Sequence, residues 1–266
     1  MKLNNLTIGA DPEMFLYNTE TEQFISAIGL IPGTKEKPFK PSKLKKGFAL
    51  QTDNVLVEFN IPASKLNWES TKFIDNILSM KKFISEYVKV INPNFITKCQ
   101  ASAHFSMDEL KDPQAMIFGC DPDLNVYTNS ENPAPLCEDK TMRSAGFHIH
   151  IGYSHPILFH SVELVKYLDV FLGLPSVLMD SDTDRRKLYG KAGSFRIQPW
   201  GVEYRTLSSA MLQDEDTLNF VYMQVLKAID AYENDFHLPE PQFVRHTIDQ
   251  GNVESANLLI QKYNII

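Results

Sequence analysis

Two histidines, His148 and His150, stand one residue apart in an otherwise apolar run, AGFHIHIGY (residues 145–153). In an extended strand successive side chains point to opposite faces, so the imidazoles share one face and Ile149 and Ile151 the other. Three further stretches sort charged groups in the same way. In GADPEMFL, Asp11 and Glu13 share a face with Met14 and Leu16 opposite; in DNVLVEFN, Glu58 opposes Val55, Val57 and Phe59; in GVEYRTL, Glu203 and Arg205 lie together. Any one such set is what a half-exposed strand produces without function. On a single sheet, the carboxylates would repel one another unless cations sat between them. Carboxylate oxygens are hard ligands suited to Mg2+ or Mn2+, and a neutral imidazole can complete such a site. Arginines beside it suit phosphate or carboxylate groups, which they grip with two parallel hydrogen bonds.

The stretch DTDRRKLYGKAGSFR (182–196) adds cations. It has neither the Walker spacing nor the GxGxxG pattern, so it is no P-loop or Rossmann turn. Gly190 and Gly193 flank Lys191 and allow the backbone to approach a ligand closely. Arg185, Arg186, Lys191 and Arg196 are phosphate contacts on this reading; a solvated charged turn is the plain alternative for the first two. A lysine- and proline-rich run, KEKPFKPSKLKK (35–46), reads as a solvated loop or as a contact for an acidic substrate.

The elements that must hold these residues follow from periodicity. Strands are expected over 6–17, 23–28 and 47–62, the last turning at Asp53-Asn54, since both residues tolerate left-handed backbone angles. Phe73, Ile77, Ile84, Tyr87, Val88 and Ile91 recur at helical spacing and predict a helix over 68–91. A strand over 95–105 follows, then Ser106 and Glu109 as a capping-box start. The segment 118–144 is turn-rich; part of it (119–142) or the lysine-rich loop is expected to close over the site. After the histidine strand come a helix over 161–179, strands in FRIQP and GVEYRTLSS, and helices over 214–234 and 252–263. Hairpins and long excursions without strict alternation of helix and strand predict α+β with an antiparallel sheet, in one domain spanning 1–266.

Composition excludes several classes. With 43% hydrophobic and 22% charged residues, the chain is ordinary for a globular protein, and a net charge of −7 speaks against general nucleic-acid binding. Cys99, Cys120 and Cys137 are too far apart for a zinc knuckle or redox pair, which leaves a reducing cytoplasm as the expectation. No run approaches the roughly 18 apolar residues of a membrane span, and the N-terminus lacks a signal-peptide core.

The motifs also resemble a known superfamily. GADPEMFL is similar to the GPEPEFFL type of strand in glutamine synthetases, GFHIHIG to their GMHCHMS segment, and SFRIQPWGVEYRTL to their SIRIP…RIEVRFPD pair. The order DPEMF, DNVLVEFNIP, GFHIHIGY, RRKLYGKAGSFR and GVEYRTLS resembles the phage-type carboxylate–amine ligase (amidoligase) family of the glutamine synthetase and glutamate–cysteine ligase superfamily. The likeness runs from about residue 7 to about residue 210.

What the resemblance implies is specific. The fold would be a glutamine synthetase-like catalytic domain, with the site on the concave face of the sheet and helices on the other. Asp11, Glu13, Glu58, His148 and Glu203 would ligate two or more Mg2+ or Mn2+ ions. Arg196 would hold nucleotide phosphate, beside the cofactor contacts read from the loop itself at Lys191, Arg185 and Arg186. Arg205 would meet the transferring phosphate or the substrate carboxylate, and His150 a substrate or the nucleotide. Glu203, Arg205 and Arg196 would carry the chemistry, in which ATP converts a carboxylate to an acyl phosphate and an amine displaces phosphate. Asp11 stands where the synthetases have glutamate, and their ammonium-recruiting loop cannot be placed in this sequence, which points to an amine larger than ammonia. The partners are then small-molecule or peptide carboxylates and amines in a cytoplasm (a host's, if phage-encoded). Neither nucleic acid nor membrane is expected, and homo-oligomer formation stays open. Two alternatives remain: a catalytically silent accessory protein on this fold, and a His-x-His metal enzyme of another class, against which no glutamate follows the histidine pair at cupin spacing.

Overall fold

The alternation in the first motif is realised as one long strand, β1 (Thr7–Asn18). Ile8, Ala10, Met14 and Leu16 enter the main apolar core, while Asp11 and Glu13 take the other face with Phe15, which packs in a second, smaller cluster. The computed structural model describes residues 2–116, 123–133 and 138–266. Cys120, Cys137 and parts of the 119–142 stretch lie outside the described residues.

Strands β2 (Ala49–Asp53) and β3 (Leu56–Asn60) form the expected hairpin with its turn displaced by one residue. Asp53 pairs with Leu56, so Asn54 and Val55 make the turn, and Asn54 takes the left-handed φ of 52°. Burial of Val55 beside Phe15 decides the shift, because the apolar contact outweighs the turn preference of Asp53. Strands β4 (Phe147–Gly152), β5 (Ser194–Gln198) and β6 (Gly201–Tyr204) complete the scaffold. The sheet order is β2-β3-β1-β4-β6-β5, continued by the short strands Leu124–Asn125 and Ser130–Glu131, and each of these pairs is antiparallel.

The expected 95–105 strand divides. Phe95–Lys98 pairs with the end of β1, and Ser102–His104 pairs with Met142–Ser144 in a separate ribbon. Ser106 and Glu109 open a turn, not a helix; the Glu109 carboxylate accepts from the backbone N–H of Ser26 at 2.7 Å instead of capping.

Helix α1 (Lys72–Ile91) buries Phe73, Ile77, Ile84 and Val88 at the expected spacing. Helices α2 (Leu158–Leu168) and α3 (Leu174–Met179) are joined through a π-helical turn, Asp169–Gly173. A short helix, α4 (Asp184–Leu188), occupies what reads as loop in the sequence. Helix α5 (Glu215–Glu233) is capped by Asp214, whose carboxylate accepts from the Thr217 N–H at 2.8 Å. Helix α6 (Pro241–Gln250) was not expected, although Pro241 in its first turn and left-handed Gly251 after its end are start and stop signals. Helix α7 (Val253–Tyr263) closes the chain.

The helices cover the sheet face that carries Ile8, Phe147, Ile149, Val202 and Tyr204, with the Phe73 ring stacked 6.4 Å from that of Phe147. Each such side chain, once fully buried, contributes about 1.5–3 kcal/mol. The fold is therefore α+β around a large antiparallel sheet, apolar behind and polar in front. The polar row stands on a platform that its own apolar alternates hold rigid.

Candidate functional site

Strand register sets the polar residues side by side. Asp11 pairs with His148 and Gly9 with His150; His150 pairs with Glu203, Glu203 with Arg196, and Glu13 with Glu58. Asp11 Oδ1 lies 3.0 Å from His150 Nε2 and 3.4 Å from His148 Nδ1. Glu203 Oε1 touches Arg205 Nη1 and lies 3.7 Å from Arg196 Nη1 and 3.8 Å from His148 Nδ1. Its other oxygen accepts from Gln198 Nε2 at 3.0 Å. Arg205 Nη1 is also 3.2 Å from His148 Nδ1, and its Nε is 3.7 Å from Asp123 Oδ2.

Burial and charge pull the carboxylates in different directions. Burial alone would raise Asp11, but the two imidazoles outweigh it and hold the carboxyl well below the usual range. Glu203 is likewise opposed by burial and by Asp11, yet Arg205 and the histidines bring it below its ordinary value. Glu58 goes the other way: burial, then the charges of Asp11, Asp53 and Glu13, push it well up, against a 2.8 Å hydrogen bond from Gln51 Nε2. Burial also raises Glu13, whose carboxylate accepts from the Gly146 N–H at 2.5 Å. Burial would lower His150, and Asp11 raises it more. Groups whose environments drive them apart in this way make this cluster a candidate functional site.

Among the described residues one group of three offers ligand atoms all within 4.8 Å of one another: Asp11, His150 and Glu203. Asp11 Oδ1 and His150 Nε2 are buried and, though close, are not aligned for a hydrogen bond. Two oxygens and one imidazole nitrogen converging in this way fit a hard divalent cation. The close group thus takes His150, which the resemblance assigns to substrate or nucleotide, and leaves His148 at its edge against Arg205. Glu13 and Glu58 stand beside each other on the β1–β3 side, outside that triad.

A cleft of about 390 Å³ opens on this face, lined by Glu13, Asp53, Arg143, His148, Arg185 and Arg205 among others. Lys35 of the lysine-rich run also reaches it, in a 2.9 Å ion pair with Asp53. Arg185 is buried, and desolvation pushes its guanidinium down to about 10. It donates to the Thr206 carbonyl at 2.9 Å. Gly190 makes its place possible: a Cβ there would lie 1.8 Å from Arg185 Nη1, and φ is +69°. Arg186 and Lys191 do not share this cleft; they line another cavity on the far side of α4. The expected nucleotide set is therefore divided, with Arg185 and Arg196 toward the acidic cluster and the other two away from it.

Several residues here carry no signal in the sequence. Arg143 is buried and spends its guanidinium on the carbonyls of Ala115, Lys140 and Met142 while lining the cleft. Asp123, Gln198 and Gln51 act as partners to Arg205, Glu203 and Glu58. Trp200 lays its ring 5.1 Å from that of His150.

Residues 141–246 match the family model described as phage phiEco32-like COOH.NH2 ligase, type 2. The matched span covers about two-fifths of the chain and holds His148, His150, Arg196, Glu203 and Arg205. It supports a carboxylate–amine ligase. Comparison with curated proteins finds no match. Among solved structures, a bifunctional glutathione synthetase from Pasteurella multocida is similar with a TM-score of 0.43 at 9% identity, over 98% of this chain and 49% of that one. The chain thus spans about half the length of that protein. No helix among the described residues is long and apolar enough to cross a membrane.

Proposed function

We propose that this protein is an ATP-dependent carboxylate–amine ligase with a glutamine synthetase-like catalytic fold, encoded by a phage and working in its host's cytoplasm. The observation that carries the reading is the contact set of Glu203. One carboxylate shares a three-ligand group with Asp11 and His150 while Arg205 and Arg196 approach the same oxygen. Cation-binding and anion-binding groups thereby meet at one point, as phosphoryl transfer requires. The ligase family match over the strands that hold Glu203 and Arg205 points the same way.

Asp11, His150 and Glu203 would hold Mg2+ or Mn2+, and Glu13 with Glu58 would serve a second ion. Bound there, such ions neutralise charge on the phosphates of ATP. The chain's own residues do the rest. Arg205 and Arg196 face the γ-phosphate as the substrate carboxylate oxygen attacks it and the bond to ADP breaks. His148, fixed between Asp11 and Arg205, keeps that guanidinium in place. Arg185 and Arg143 line the cleft where an anionic substrate would lie. The amine nitrogen then attacks the acyl carbon, phosphate leaves with the proton that the amine gives up, and an amide remains. Acyl phosphates hydrolyse readily, so the buried position of Glu203 and Arg205 serves to exclude water.

The test is ADP and phosphate release from ATP with Mg2+, measured across panels of amino acids and peptides offered as carboxylate and amine. Release that needs both a carboxylate and an amine, and is lost in Glu203→Gln, supports the reading. Release independent of both contradicts it.

A further inference from the structure

The short helix α4 and the residues after it form a wall between two cavities. Arg185 and Gly190 face the cleft that holds Glu13, His148 and Arg205; Arg186, Lys187 and Lys191 face a cavity of about 560 Å³ whose other side includes Arg245 and Asp249 of α6. Among the described residues the two cavities share no lining residue. Adjacent residues on a helix point about 100° apart, which is why neighbouring arginines serve different spaces.

Arg186 is the unusual group. It is 4% exposed, and its Nε and Nη1 have no hydrogen-bond acceptor among the described residues. Its Nη2 reaches Ser176 Oγ at 3.4 Å and stands 4.0 Å from Asp180 Oδ2, an oxygen that already accepts from the Ser208 hydroxyl at 2.6 Å. A guanidinium desolvated with donors unspent costs stability unless a ligand accepts from them. Across the cavity Arg245 lies over the Tyr127 ring at 5.5 Å, and its Nε also lacks an acceptor. Among the described residues four cations line the space against two carboxylates, Glu131 and Asp249. Lys187 is already paired with Asp184 at 2.7 Å, and Asp249 is engaged by the Ala192 N–H at 2.8 Å, which leaves Arg186, Lys191 and Arg245 as the cations facing a ligand.

We infer that this cavity is a second anion site, built for a phosphate-type oxyanion and separate from the cleft lined by Glu13, His148 and Arg205. A carboxylate has two oxygens and would saturate one guanidinium fork. A tetrahedral oxyanion presents acceptors in several directions and can meet Arg186 from one wall and Arg245 or Lys191 from the other. The inference does not rest on the ligase reading, since it uses none of the acidic cluster.

Calorimetric titration of the full chain with inorganic pyrophosphate, in EDTA so that no divalent ion contributes, tests it. Inorganic phosphate and acetate serve as parallel titrants. The expected result is saturable pyrophosphate binding that is weakened at least about tenfold by Arg245→Gln, the loss of one charge-assisted contact. Arg186→Lys should weaken it similarly, with thermal melting used to confirm that this buried substitution still folds; if it does not fold, Arg245→Gln decides alone. Glu203→Gln should leave binding unchanged, and acetate should not saturate. No saturable binding of either phosphate titrant, binding indifferent to Arg245→Gln, or binding lost in Arg205→Lys would each overturn the inference.

Discussion

Arg205 and Glu203 lie against each other on one face of the sheet, two residues apart, each about 95% or more removed from solvent. Neither partner is spent on the other alone. Glu203 also accepts from Gln198 and faces Arg196, and Arg205 also meets His148 and Asp123. A pair made only for stability would be closed on itself; this one has contacts on both sides. Arg205→Lys keeps the charge but loses the fork, and turnover should fall by at least about a hundredfold, as when an oxyanion-stabilising donor is removed. Steady-state rates with circular dichroism as a folding control check this. Unchanged turnover would make the pair structural.

Manganese binding distinguishes the two histidines. Asp11→Asn and His150→Ala should each weaken Mn2+ binding by roughly tenfold or more, read by electron paramagnetic resonance of the free ion, because each removes an atom from the close triad. His148→Ala should weaken it less. If His148→Ala has the larger effect, the ligand is the histidine that the motif resemblance indicates.

Gly190 tests whether the position of Arg185 matters. A methyl group there collides with Arg185 Nη1 and lies 2.8 Å from the Thr206 carbonyl oxygen, at a backbone angle that costs an L-residue about 1–2 kcal/mol. Gly190→Ala should lose that stability and also most turnover. Gly29→Ala is the control: φ is +76° with nothing within 4 Å of the added carbon, so stability alone should fall. Equal turnover in the two variants would remove Arg185 from the account.

Behind the site, Asp169 is fully buried in the π-helical turn and accepts from the Tyr204 hydroxyl at 2.7 Å. Burial pushes its carboxyl up to about 7. Its unfolded value is about 4, so between pH 4 and 7 the folded chain keeps a proton that the unfolded chain has lost. The stability this group contributes is complete below pH 4 and falls as pH rises toward 7, by roughly 4 kcal/mol in all. Denaturant unfolding from pH 4.5 to 8 should show wild type losing stability relative to Asp169→Asn as pH rises. A difference that does not vary with pH would contradict this.

The sequence made the polar face legible and the geometry within it much less so. Alternation in GADPEMFL and GFHIHIG is enough to say which side chains share a face, since a strand of period two has no other solution. It cannot say that both histidines close on the same oxygen of Asp11, because that depends on register with β1 and on how two rings on one face lean. The Asp53-Asn54 turn slipped by one residue for a tertiary reason, the burial of Val55. The π-helical turn was invisible because its apolar pattern continues through Asp169–Gly173 as it would in an ordinary helix. Arg185 and Arg186 were grouped because they are neighbours in sequence; five residues of helix were enough to send them to different cavities.

Hydroxylamine trapping tests the central claim most directly, because it intercepts an acyl phosphate as a hydroxamate whatever the natural amine is. With ATP, Mg2+ and a panel of carboxylates (cell or phage extract included as a source), the wild-type protein should form a hydroxamate in step with ADP, and Glu203→Gln should form none. ADP released without hydroxamate from any carboxylate source, or hydroxamate formed equally by Glu203→Gln, would contradict a ligase whose chemistry is centred on Glu203.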